Sequence, residues 1–248
     1  KAFVVNGGRA SLTIVFAQVA DSQGAGWDGI GAFAVEGTPA GMTCGERYRT
    51  LGLETMHAAP VTFENVIVHD ENRLVGGGDR ARLHRFFARA ALRVAARQVG
   101  LARAAYEYAL GYTQDRTAFG KPVAHFQSIA FTLADMHMDV ESARWMVWRA
   151  ATELATGREG TAEGARFVAE AAVHANEAGF RVADNAVQLL GGAGFIQDFP
   201  VEKWLRDTKT LALLAPADQL QQLQIAAPLV GGALEAPLPG PALQPLFT

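Results

Sequence analysis

The chain has 248 residues, half of them apolar and 19% charged, an ordinary globular composition with room for one large domain or two modest ones. A net charge of −3 leaves no basic footprint for nucleic acid. Cys44 is the one cysteine, which excludes an intramolecular disulfide and fits a reducing, cytoplasmic setting, and no apolar run approaches the ~20 residues of a membrane span.

The chain opens on Lys1 rather than Met and passes at once into "AFVV", so it reads as a piece of a longer chain. Residues 1–78 read as β structure. "SLTIVFAQV", "GIGAFAVE" and "VTFENVIV" are short runs rich in β-branched and aromatic residues, separated by Gly, Asp, Ser and Pro. They predict a small antiparallel barrel or sandwich that closes at Gly76–Gly78. From Asp79 the period changes. Ile129, Leu133, Met136, Val140, Ala143 and Val147 recur at steps of three and four. Gly157 offers a helix stop and Thr161 the next N-cap. Helices are predicted at about 80–113, 125–155, 161–189 and 202–226, a four-helix bundle over 79–226. Residues 227–248 carry Gly and Pro too densely for a helix and read as a tail. The fold class is therefore α+β.

Four features bear on chemistry. "DRTAFGKPVAHFQSI" presents Arg116, Phe119 and Gln127 where the first long helix ends; this is either a guanidinium suited to a diphosphate or a cation capping a helix C-terminus. "QLLGGAGF" places Gln188, Gly191 and Gly192 between two helices, where paired glycines leave backbone amides open to a ligand or simply make a tight turn. It follows no strand, which excludes a dinucleotide-binding βαβ reading. Arg82, Arg85, Arg89, Arg93 and Arg97 form a basic stripe about 22 Å long at 1.5 Å per residue, either a solvated face or a surface for CoA phosphates or an acidic partner. The histidines show no metal-ligand spacing, so no metal site is expected. "NGGRAS" lacks the Lys–Ser/Thr pair of a phosphate loop and reads as a hairpin turn.

Taken in order, "NGGRASLTIVFA", "LGLETMHAAPVTFENVIV", "DRTAFGKPVAHFQSIAFTLADM", "DNAVQLLGGAGFIQDFPVEKWLRDTK" and "QLQQLQIA" resemble the acyl-CoA dehydrogenase family. The resemblance implies a middle β-domain followed by a C-terminal four-helix bundle, with the family's N-terminal helical domain absent from this chain. It also implies α,β-desaturation of an acyl-CoA, in which a carboxylate removes the α-proton and FAD accepts the β-hydride. Carried over position by position, Arg116, Phe119, Gln127, Gln188, Gly191, Gly192 and Gln219 match the FAD contacts made across a subunit interface. The base positions do not match. The Glu-Gly-Thr of the family falls on Ala215, Pro216 and Ala217, and the alternative Glu falls on Ala90. The Trp-x-Thr pair that covers the flavin and donates to its N5 falls on Phe3 and Val5.

The chain thus keeps what it would lend to a neighbour's FAD and loses what its own catalysis would need. It reads as a non-catalytic subunit of a heteromeric acyl-CoA dehydrogenase whose partner is a paralogous subunit. Heteromers of this kind in the family act on bulky substrates such as steroid side-chain CoA esters. Two other readings stay open: an active dehydrogenase or oxidase with Asp218 as an unusual base, and a flavin-free structural or binding protein on the same fold.

Overall fold

The computed structural model describes residues 1–19, 29–158, 161–214 and 218–231. The chain divides into two units, one of residues 1–49 and 54–86, the other of residues 50–53 and the described chain from Phe87 onward.

The first unit is built from short antiparallel strands. β1 (Val4–Val5) pairs with β5 (Ala58–Ala59), and β4 (Met42–Cys44) pairs with β6 (Val61–Phe63). β2 (Leu12–Gln18), β3 (Ile30–Glu36) and β7 (Arg73–Val75) form a three-stranded sheet with β3 in the middle. The central place of β3 suits its small apolar sequence: Ala32, Ala34 and Val35 are all buried. Val35, Met42 and Val61 make the core, with Val15 and Phe63 packed on it. The predicted strand "VTFENVIV" is shorter than its apolar pattern. Only Val61–Phe63 pairs, because Asn65 turns the backbone at φ 54°, a left-handed conformation that Asn tolerates better than most residues.

The second unit is helical. α1 (Arg80–Asp115), whose first turns belong to the first unit, is followed by the β8 (Thr117–Ala118) and β9 (Lys121–Pro122) hairpin and a 3₁₀ turn at Val123–His125. α2 (Gln127–Ala155), α3 (Ala162–Leu190), α4 (Val201–Ala212) and α5 (Asp218–Leu229) complete it. Thr161 caps α3 as its sequence predicts, its hydroxyl accepting from the Gly164 N–H at 3.0 Å, and Gly157 takes φ 81° just beyond α2. On α2 the three-and-four spacing resolves into a buried face of Leu133, Met136, Val140, Ala143 and Val147.

Alanines dominate the bundle interior. Ala91, Ala95, Ala102, Ala105 and Ala109 of α1 face Ala171, Ala175, Ala178, Ala183 and Ala186 of α3 within two continuous clusters, so the helices approach closely. Gln98 is fully buried among them beside Gly179, and its Nε2 donates to the Thr208 carbonyl of α4 at 2.9 Å. The predicted fourth helix, 202–226, is two helices. A turn at Leu213–Leu214 ends α4, as expected where Pro216 removes a donor and restricts the residue before it. The predicted tail begins later than residue 227, because α5 runs to Leu229. Pro228 sits in its last turn, where one missing N–H costs little, and Val230 N–H still donates to Ala226 O at 3.1 Å.

Candidate functional site

Residues 50–53 are pinned to α4 by four contacts. Gly52 N–H donates to Thr210 Oγ1 at 2.9 Å and Leu53 N–H to Asp207 Oδ1 at 2.5 Å, while Arg206 Nη1 donates to Leu51 O at 2.9 Å. Thr50 Oγ1 closes the segment by donating to Gly52 O at 2.8 Å. Asp207 is 3% exposed and is also held by Lys203 one turn away. A Cβ at Gly52 would overlap the Arg206 carbonyl, so only glycine fits. These contacts assign a structural task to "LGLE" and to Arg206–Asp207 of "VEKWLRDTK", which the sequence presents only as motif markers.

Where the first long helix ends, Arg116 follows α1 directly. Its backbone closes the turn, with Arg116 N–H donating to Tyr112 O and Val123 N–H to Arg116 O. Its side chain is exposed and has no partner among the described residues, so it caps no described carbonyl. Phe119 and Gly120 are the two loop residues of the β8–β9 hairpin, with φ 52° and 79°. Positive φ at both positions is the geometry of a type I′ turn, which favours Asn-Gly. Phe119 is an aromatic residue held in a strained conformation with 95% of its surface exposed, its one ring neighbour being Phe126 at 6.2 Å. Gln127 is exposed at the first position of α2.

At the same end of the bundle α3 finishes with Gln188 exposed in its last turn and Gly191 as C-cap at φ 56°. The Tyr112 and Phe199 rings, 6.1 Å apart, join this segment to the end of α1. The glycines divide by role. A Cβ on Gly194 would strike the Val187 carbonyl, whereas one on Gly191 or Gly192 would meet nothing within 4 Å. Gly192 also has no need of positive φ, so its own fold does not require a glycine there. The open backbone at this position suits close approach by something outside the chain.

Three of the sequence-derived positions lie elsewhere. Gln219 is exposed at the second position of α5, beside the middle of α3, since neighbouring Asp218 accepts from Asn176 Nδ2 at 2.8 Å. Asn176 lies 14 residues before Leu190, about 21 Å along the helix. The structure therefore groups Arg116, Phe119, Gln127, Gln188, Gly191 and Gly192 at one end of the bundle and leaves Gln219 apart. Ala90 is half-buried on α1. Ala215 lies outside the described residues, as do Pro216 and Ala217. Phe3 and Val5 are exposed in the first unit, Phe3 at φ 54° against the Tyr48 ring at 4.8 Å.

Asp218, the carboxylate nearest Ala215 in sequence, lines a 280 Å³ cavity with Asn176, Phe180, Thr208, Lys209 and Ala212. Lys209 Nζ sits over the Phe180 ring at 5.1 Å, and Asn176 is 5% exposed with its Oδ1 unpartnered. Beside the cavity the Arg181–Asp139 hydrogen bond raises the guanidinium pKa further above its usual value. The basic stripe on α1 is partly self-satisfied, with Arg82 bonded to Asp79 and to Leu74 O. Among the described residues no three His, Cys, Asp or Glu side chains gather as metal ligands, and no helix is long and apolar enough to cross a membrane.

Residues 77–230 match the model of the acyl-CoA dehydrogenase C-terminal domain. The chain is 38% identical over 241 residues to an acyl-CoA dehydrogenase of Bacillus subtilis, covering 94% of this chain and 60% of that one. It is 35% identical over 238 residues to the short-chain specific acyl-CoA dehydrogenase of Megasphaera elsdenii, covering 94% and 58%. Its structure superposes on butyryl-CoA dehydrogenase from Megasphaera elsdenii with a TM-score of 0.84 at 34% identity, covering 93% of this chain and 59% of that one. The chain spans about three fifths of the length of these relatives. Similarity in sequence along nearly the whole chain and in fold across both units makes it a member of the acyl-CoA dehydrogenase family.

Proposed function

We propose that the chain is a subunit of a FAD-dependent acyl-CoA dehydrogenase that binds part of the flavin for a neighbouring, paralogous subunit and does not supply the catalytic base. The observation that carries this reading is Phe119, a strained and solvent-exposed aromatic beside an unpartnered arginine. Neither feature serves the chain's own fold, and together they offer a flat face and a bidentate fork for a planar, diphosphate-bearing ligand. The residues present fit FAD. Arg116 would hold the diphosphate, Phe119 and Gln127 would position the neighbouring part of the molecule, and Gly191–Gly192 would admit it against open backbone. A clamp this exposed encloses nothing by itself, because ligand sites bury most of their ligand. The other wall must then come from a second subunit.

FAD, when bound, supplies the acceptor for the β-hydride of an acyl-CoA. The α-proton needs a carboxylate within about 2.6–3.2 Å, directly or through one water. At the family's two base positions this sequence has Ala90 and Ala215, whose methyl groups accept no proton. Val5 likewise offers no hydrogen bond where the family donates to flavin N5. Asp218 is engaged by Asn176 and shares its cavity with Lys209, an arrangement better suited to anchoring the start of α5 than to abstracting a proton from an apolar chain.

The test is dye-coupled reduction with a panel of acyl-CoA esters, using the full-length protein alone and co-expressed with a paralogue carrying Glu-Gly-Thr. The subunit alone is expected to show no turnover, and the pair to turn over with fewer than one flavin per chain. Turnover of about 1 s⁻¹ or more by the subunit alone, a rate ordinary enzymes reach, would overturn the reading.

A further inference from the structure

The face of α2 opposite its buried stripe is apolar too. Phe131, Met138 and Trp145 recur every seven residues with Trp148 one turn further on, and they are 60%, 59%, 62% and 53% exposed. Trp145 and Trp148 stand edge to face with centroids 5.0 Å apart, so the described chain leaves them packed only on each other. Solvated faces of bundle helices are polar, and an apolar stripe on a 29-residue helix marks a surface with a partner.

The charges on α2 identify that partner. Asp139 pairs with Arg181, Glu141 with Arg144, and Glu153 with Arg158. Two charged residues of α2 have no ion partner among the described residues: Asp135 and Arg149, both exposed. They have opposite signs and stand seven residues either side of Ser142. Arg149 is held in place with its guanidinium 3.8 Å from the centre of the Phe167 ring. Ser142, at the midpoint, hydrogen-bonds His174 Nε2 of α3 at 2.8 Å, so the centre of the face is rigid.

We infer that this face is an isologous interface on which a second copy of the chain docks, α2 against α2 and antiparallel, about a two-fold axis near Ser142. The axis places Asp135 of each copy against Arg149 of the other, satisfying both charges twice, whereas a parallel arrangement would set Asp135 on Asp135. The four large side chains each expose somewhat over half of roughly 150–250 Å², about 300–500 Å² of apolar surface per copy. That is half or more of the ~800 Å² a standard interface buries on each partner. This interface involves none of the flavin-clamp residues and does not rest on the proposed function.

The experiment is sedimentation velocity of the full-length protein at micromolar concentration, with flavin content and circular dichroism read on the same samples. The wild type is expected to self-associate. Met138→Glu with Trp145→Glu should halve the associated mass, and Asp135→Arg or Arg149→Asp alone should weaken association about tenfold or more. The combined Asp135→Arg and Arg149→Asp variant should recover it, because exchanging both charges preserves the pairing. A monomeric wild type, an unchanged mass in the Met138/Trp145 variant, or no recovery in the double exchange would each overturn the inference. Loss of flavin with association intact would instead count against the proposed function alone.

Discussion

Replacing Phe119 by Asn separates what the residue does for the fold from what it does for a ligand. The ring sits at φ 52° at the first loop position of a two-residue hairpin. Holding a bulky L-residue in the left-handed region costs about 1–2 kcal/mol, and Asn followed by Gly120 is the pair such turns favour. The only packing lost is an edge-to-face contact with Phe126 at 6.2 Å by a ring that is 95% exposed. An aromatic pair contributes about 0.5–1.5 kcal/mol, and an exposed one belongs at the low end. The balance favours the variant by about 0.5–1 kcal/mol, or a rise of roughly 1–4 °C in melting temperature for a chain of this size. Flavin retention in the assembled complex should move the other way. A stacked ring contributes about 1–3 kcal/mol, so affinity should fall about 5- to 150-fold. Urea denaturation and flavin release on dialysis measure the two effects on one preparation. A loss of stability above about 1 kcal/mol would mean that Phe119 holds the hairpin together, and unchanged flavin retention would mean that the ring touches no cofactor.

Arg116→Ala should leave folding unchanged and lower flavin affinity about 10- to 150-fold, the worth of a charge-assisted hydrogen bond; release kinetics monitored by flavin fluorescence measure it. Gly192→Ala and Gly194→Ala should part company in thermal melts, the first neutral and the second destabilising by about 1–3 kcal/mol, because only the second Cβ meets a carbonyl. Gly192→Ala should nevertheless lose flavin if cofactor approaches the backbone there. Asp207→Ala strips the acceptor from Leu53 N–H at a site 3% exposed, and should cost about 2–4 kcal/mol by urea denaturation. Asp207→Asn, which keeps an acceptor oxygen, should lose less.

How much of this is legible in the residues depends on the length scale of the signal. The inner face of α2 and the Gly157/Thr161 boundary follow from spacing and cap chemistry, because a long amphipathic helix repeats its signal many times. The end of α4 was marked too, by Pro216, which a single helix over 202–226 overrides. "VTFENVIV" misleads because apolar content persists beyond the turn at Asn65. The clamp is the reverse case. β8 and β9 are two residues each, too short for any periodicity, and nothing local announces that Phe119 adopts positive φ; its position came only from family resemblance. The outer face of α2 was missed for a different reason. A helix with one convincing apolar stripe invites no search for a second, and four large residues among 29 disappear into the polar average.

The anchoring of residues 50–53 also bears on the order in which the molecule forms. Gly52 meets Thr210 across 158 residues of chain, and Leu53 meets Asp207 across 154. During synthesis at about 5–20 residues per second, the segment waits roughly 8–30 s for its acceptors to leave the ribosome. In that interval α1, α2 and α3, whose contacts are local, can pair, while "LGLE" has nowhere to dock. The last helices made are therefore the ones that fasten an early stretch of chain. A stalled or truncated product ending before α4 would carry a formed helical core with an unfastened loop, a specific target for proteolysis at residues 50–53.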